Sequence, residues 1–305
     1  MSRGEQAAAS WLREQERSNR WLLRLMVWIS LTLGRRIGRL VLYGIAAYFL
    51  LFAPRARRAS RDYLGRALGR PAGWGDGFRH VLSFASTIHD RVYLLHDRFD
   101  LFEIEVVGSE RLHAALAEPP GGALLIGAHF GSFEVLRSVG RGRAGLQVAM
   151  LMYEENARKI NATLEAINPA ASRDIIALGR LQSMLEVREK LDHGYLVGML
   201  ADRGLAKEAF TAHDFLGSAA AFPVGPFRLA ALLRRPVFFM TGLYLGGNRY
   251  RIHFEPLADF SRPQGEDRRL AVARAQAQYV ARLAHHCRRA PYNWFNFFDF
   301  WQCRR

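Results

Sequence analysis

ALLIGAHFGSFEVL, residues 123–136, is an apolar run that ends on His129 and carries Glu134 five positions later. It reads as a strand that delivers an imidazole to its carboxyl end, with Gly131 and Ser132 opening a helix. Acyl transfer needs a base, a group to orient it and backbone donors, and this stretch supplies all three. His129 can take a proton from an attacking hydroxyl near neutral pH, and Glu134 can hold its tautomer and stabilise the imidazolium. Free N–H groups at the helix start, around Gly131 and Ser132, face a developing oxyanion. The same spacing also fits a polar pair that merely closes a loop.

Working outward, apolar runs alternate with helical periodicity. Strands are expected at 102–107, 123–128, 147–152, 174–178, 195–201, 237–245 and 250–255. Helical stretches fall near 110–118, 133–141, 156–167, 180–192, 220–234 and 266–289. Upstream, residues 71–77 read as a loop and 78–98 as a helix bearing His80, His89 and His96. The rhythm predicts an α/β fold, with a mostly parallel central sheet flanked by helices. Ligands in such sheets gather at the carboxyl ends of strands, where His129 and Asp202 both fall.

The N-terminal part differs in character. Residues 21–53 are apolar but broken by Arg24, Arg35, Arg36 and Arg39. The longest charge-free stretch, 40–53, would rise about 21 Å as a helix, short of a hydrocarbon core of about 30 Å. Two helices lying in the headgroup region, 21–33 and 37–52, fit this pattern, as does one tilted span with Arg39 at its edge. A hairpin that only covers the core fits it too. The expected division is an amphipathic, hydrophobic helical membrane-attachment segment at 1–70 and an α/β domain at 71–305.

Net charge is +15, and only three of the 43 basic residues are lysine, at 159, 190 and 207. Twelve arginines precede Asp62, against Glu5, Glu14 and Glu16, and several interrupt apolar sequence. That mixture suits anionic membrane lipids, whereas a nucleic-acid arm would be polar throughout and carry a recognisable motif. No nucleic-acid partner is therefore expected. Cys287 and Cys303 do not form a disulfide framework, and the first twenty residues do not read as a signal peptide. His285, His286 and Cys287 cannot all face one ion on a helix, so they are read as a solvated face and no metal or cofactor is expected.

A second polar strand end, Asp202-Arg203-Gly204, follows YLVGMLA as His129 follows ALLIGA. Beyond it, DFLGSAAAFPVGPFRLAALLRRPVFFM supplies a turn, a proline-bounded helix start and a buried strand. An H-x-x-x-x-E strand end, an A-D-R-G strand end and an F-P-x-G-P segment together resemble the lysophospholipid acyltransferase superfamily. Within it, the chain is most similar to the bacterial lipid A late (lauroyl or myristoyl) acyltransferase branch. The resemblance implies that His129 and Glu134 form the catalytic pair, with Asp202 joining them. It also implies a monotopic or single-pass enzyme on the cytoplasmic face of the inner membrane. The acyl donor would be a thioester of acyl carrier protein or coenzyme A, and the acceptor a hydroxyl of a membrane lipid. The aromatic ending PYNWFNFFDFWQCRR departs from the usual basic tail and is similar to members found beside aryl polyene biosynthesis genes.

Ser132 invites a competing nucleophile reading, but it lacks a G-x-S-x-G elbow and is expected to cap the following helix. Arg203 is a phosphate-binding candidate or one half of a local ion pair with Asp202, and Arg158 and Arg180 are further phosphate candidates. Two other functions share these features: a catalytically idle membrane or carrier-docking module, and a thioesterase or lipase in which water replaces the acceptor.

Overall fold

The computed structural model describes residues 28, 30–32, 34–118, 121–136, 146–153, 175–178, 181–204, 208–262, 265 and 267–301. Its strands are β1 (Glu103–Val107), β2 (Ala123–Gly127), β3 (Val148–Tyr153), β4 (Ile175–Leu178), β5 (Leu196–Leu200), β6 (Phe210–Phe215), β7 (Ser218–Pro223), β8 (Pro236–Gly246) and β9 (Arg249–Asp259). Seven of them form one sheet in the order β1-β9-β8-β2-β5-β3-β4. Every neighbouring pair runs parallel except β8 and β9, so the expected mostly parallel sheet is what forms.

Among the described residues the main helices are α1 (Gly34–Phe52), α2 (Pro54–Leu68), α3 (Trp74–Leu95), α4 (Ser109–Ala117), α5 (Leu181–Asp192), α6 (Gly225–Leu233) and α7 (Arg268–Arg289), and a further helix begins at Phe133. They cover both faces of the sheet, which explains why β2 is apolar at every position. Leu124 and Ile126 point into one core, with Tyr63 and Leu64 of α2 and Tyr279 and Leu283 of α7. Ala123 and Leu125 point into the other, with Leu94 of α3 and Leu112 of α4. Truncating a side chain such as Leu125, which is wholly buried, costs about 2–5 kcal/mol.

Two expectations are corrected. Residues 218–223 are a strand, antiparallel to β6, and not the start of a helix. Left-handed backbone at Leu216 (φ 54°) and Gly217 (φ 82°) turns the chain into a hairpin, and α6 begins only at Gly225, with Pro226 in its first turn. In the expected loop at 71–77, α3 already starts at Trp74, because the Asp76 carboxylate accepts the Gly73 N–H at 2.9 Å and completes the first turn.

α1 buries a narrow stripe, Gly38, Leu42, Ala46 and Leu50, at strict four-residue spacing. Its other faces leave Leu40, Val41, Tyr48, Phe49, Leu51 and Phe52 exposed, Leu40 at 71%. The chain then bends by 96° into α2, whose Tyr63, Leu64 and Ala67 join the main core. The last helix of the segment assigned to membrane attachment is thus part of the α/β body. Among the described residues no single helix is long and apolar enough to cross a membrane, though the bent α1–α2 pair passes on length and composition.

One buried carboxylate gathers two arginines of α1. Asp90 accepts from Arg35 Nε and Nη2 at 2.8 and 3.0 Å, from Arg39 Nη2 at 3.0 Å and from the Tyr250 hydroxyl at 2.8 Å. Burial opposes its ionised form, but the hydrogen bonds and adjacent guanidiniums hold the carboxyl below its ordinary value.

Candidate active site

β2 and β5 are direct neighbours, and the Ala201 N–H donates to the Gly127 carbonyl at 3.0 Å, so both chains leave the sheet side by side. His129 and Asp202 meet there. His129 Nδ1 lies 2.9 Å from Asp202 Oδ1, and the His129 backbone N–H donates to Oδ2 at 3.2 Å. An ionised carboxylate only accepts, so Nδ1 carries the proton and Nε2 keeps its lone pair. Burial is unequal: the Asp202 side chain is fully covered, while 39% of the His129 side chain remains exposed. Burial alone would raise the Asp202 carboxyl, but the charges of His129 and Arg203 and the bonds from His129 and Trp294 outweigh it and hold the carboxyl well below the usual range.

The loop that carries His129 is laced to two other segments. Gly131 N–H donates to Asn293 O at 2.8 Å, Ser132 N–H to Gly242 O at 2.8 Å, and Phe295 N–H to His129 O at 2.8 Å. Gly131 has φ 69°, and a side chain there would collide with the Gly242 carbonyl of β8; a side chain at Gly242 would collide with the Ser132 carbonyl. The loop therefore packs backbone to backbone and has little room to move.

This geometry revises several expectations. The carboxylate on His129 Nδ1 is Asp202 rather than Glu134; Glu134 sits buried in the helix that starts at Phe133. The backbone N–H groups of Gly131 and Ser132 are engaged within the protein and do not face an oxyanion. Ser132 is buried, and its hydroxyl has no hydrogen-bond partner among the described residues, so it neither caps the helix nor contacts a base. Arg203 serves the local role: Nη2 donates to Phe295 O at 2.7 Å, Nε lies 3.6 Å from Asp202 Oδ2, and the guanidinium sits over the Phe298 ring at 4.7 Å. Arg158 and Arg180 lie outside the described residues. His286 and Cys287 are buried rather than solvent-facing.

One participant escapes sequence reasoning. The Trp294 indole N–H donates to Asp202 Oδ2 at 3.1 Å, and the residue is wholly buried. Its signal was the density of aromatics between Tyr292 and Trp301, which marks packing without naming a partner. A cavity of about 220 Å³ lies between α1, α2 and α3, walled by Leu42, Ile45, Phe49, Val81, Phe84 and Phe297. Phe84 in its wall packs edge-on against Phe295 at 5.2 Å, and the Phe295 N–H bonds the His129 carbonyl.

An exposed imidazole with a buried carboxylate behind it is an arrangement for moving a proton between substrates at a surface. A family model described as bacterial lipid A biosynthesis acyltransferase matches residues 86–302. No curated protein matches the sequence.

Proposed function

The chain belongs to the bacterial lipid A biosynthesis acyltransferase family and is an acyltransferase; from that premise we propose how it works and on what. It moves a fatty acyl group from a thioester of acyl carrier protein or coenzyme A to a hydroxyl of a lipid A-type or other glycolipid acceptor. The observation that carries the reading is the exposed His129 ring backed by buried Asp202. His129 Nε2 takes the proton of the acceptor hydroxyl as its oxygen attacks the thioester carbonyl. Collapse of the tetrahedral intermediate breaks the C–S bond, and the imidazolium returns the proton to the departing sulfur. Asp202 keeps the productive tautomer and stabilises the imidazolium between the two steps. Glu134 supports the same reaction from the next helix turn.

The enzyme works from the cytoplasmic surface of the inner membrane, with α1 lying in the interface. The exposed Leu40, Tyr48, Phe49 and Phe52 enter the acyl layer, and the exposed Arg36, Arg55, Arg58 and Arg61 meet anionic headgroups. The cavity beneath α1 is of the right character for an aliphatic chain. Replacing Leu40 and Phe52 together by glutamine is expected to weaken sedimentation with anionic vesicles by about tenfold, from the apolar area lost; undiminished pelleting contradicts this placement.

The reaction is tested by incubating purified protein with acyl-carrier or acyl-coenzyme A thioester and a lipid A-type precursor in mixed micelles, followed by mass spectrometry. An acceptor heavier by one acyl group is expected. Free fatty acid formed at the same rate without acceptor would replace the reading by a thioesterase, and no consumption of either donor would overturn it.

A further inference from the structure

Asp202 is wholly covered, so its orientation is set by protein groups. Oδ1 faces His129 Nδ1; Oδ2 accepts from the His129 backbone and from the Trp294 indole. The backbone around Trp294 holds the other side of the same site, since Asn293 O takes the Gly131 N–H and the Phe295 N–H reaches His129 O. One short segment therefore fixes both the carboxylate and the loop that presents the imidazole. The indole is itself wedged edge-on between Tyr63, Phe215 and Phe300, at 4.8, 5.3 and 4.9 Å.

Behind Trp294 the chain of hydrogen bonds continues. Its carbonyl lies 2.8 Å from His80 Nε2, and His80 Nδ1 lies 2.7 Å from the Ser60 hydroxyl. A carbonyl only accepts, so Nε2 carries the proton and Nδ1 accepts from Ser60. Ser60 belongs to α2 and His80 to α3, and both residues are buried. The path Ser60–His80–Trp294–Asp202–His129 thus links the two helices beneath α1 to the imidazole, crossing the covalent frame of Trp294 from its carbonyl to its indole N–H.

We propose that Trp294 is a positioning residue for the His129–Asp202 pair, and that His80 keys it to helices α2 and α3. The proposal rests on the reading of His129 as the base. The indole N–H disperses part of the Asp202 charge and keeps Oδ1 aimed at Nδ1. Other ionisable groups near Asp202 are Arg203 beside it, and Tyr279 and Cys287 on α7. Burial pushes the Tyr279 hydroxyl and the Cys287 thiol upward, so neither changes charge between pH 5 and 9. Facing His80 are Ser60 and Tyr63, with the Phe295 and Phe297 rings on its other side.

Trp294→Phe removes the donor and keeps a ring. The expected result is a kcat lower by about tenfold, a KM within about twofold, and an acid limb of the kcat/KM profile moved to higher pH, because a less compensated carboxylate holds the imidazolium more firmly. The His129 titration followed by NMR moves the same way, and this readout needs no turnover. A purely structural role would scale the rate at every pH and leave the limb in place. His80→Phe, which loses the donor to the Trp294 carbonyl, shows a smaller upward displacement, and His80→Gln, whose amide restores that donor, reverts toward wild type. A folded Trp294→Phe with a wild-type His129 titration overturns the proposal. So does identity of His80→Phe and His80→Gln in that titration, which decides the matter if Trp294→Phe does not fold. Absence of acyl transfer by the wild type would instead sink the proposed function and leave the His129 titration to be read on its own.

Discussion

Two histidine–carboxylate pairs lie on either side of Phe130, and they are built in opposite senses. In one, His129 is 39% exposed and Asp202 fully covered; in the other, the His286 side chain is 6% exposed, with Glu255 at 24%. Distances do not separate them, at 2.9 Å for His129 to Asp202 and 2.6 Å for His286 to Glu255. What separates them is which partner solvent can reach. His286 stacks on Phe239 at 5.4 Å and meets Phe130 edge-on at 6.2 Å, so its ring is packing material with a charge-bearing anchor. His129 presents its ring outward and hides the group that orients it. A hydrogen-bonded pair is thus not a site until its burial is known.

The contrast can be broken in both directions. Asp202→Asn keeps the size of the side chain but removes the charge and the preferred tautomer, and transfer is expected to fall about 10³-fold or more. Glu255→Gln should alter it by less than about threefold; steady-state kinetics on the two variants side by side make the comparison. Stability should rank the pairs the other way. His286→Ala removes a buried ring while Glu255 keeps Arg282 at 3.1 Å, with an expected loss of about 3 kcal/mol in denaturant unfolding; His129→Ala removes a part-exposed ring while the covered Asp202 keeps the Trp294 indole and the backbone N–H of residue 129, with an expected loss of about 2 kcal/mol.

A third histidine sharpens the point through pH. Burial lowers the His80 imidazole to about 4, so the unfolded chain takes up its proton at higher pH than the folded one. This group's stability is therefore present above pH 6.5 and drains away as pH falls toward 4. The loss is on the order of 2 kcal/mol between pH 7 and pH 5. Unfolding free energies measured across that window should show the slope in wild type and a flatter profile in His80→Phe.

Much of the sheet was legible because strands buried on both faces must be apolar throughout, as 123–127 and 196–200 are. The convergence of His129 and Asp202 was legible for the same reason: two polar residues ended two such runs. The hairpin at 210–223 was not, since Ser218–Pro223 is alanine-rich and merges with the apolar helix after it, leaving no period to distinguish strand from helix. Nor could spacing choose between Glu134 and Asp202 as the partner of Nδ1. A carboxylate five residues away looks nearer than one 73 residues away until β2 and β5 are known to be neighbours. Trp294 was least accessible, because its role depends on a contact across 92 residues of chain.

On the proposed mechanism, the defining step is removal of the acceptor proton by His129 at a site organised by Asp202. Its most direct test is single-turnover acyl transfer by purified His129→Ala, with donor binding and thermal unfolding measured on the same preparation. The expected result is a folded protein that binds the thioester and forms no acylated lipid above background; turnover near the wild-type rate would rule out His129 as the base.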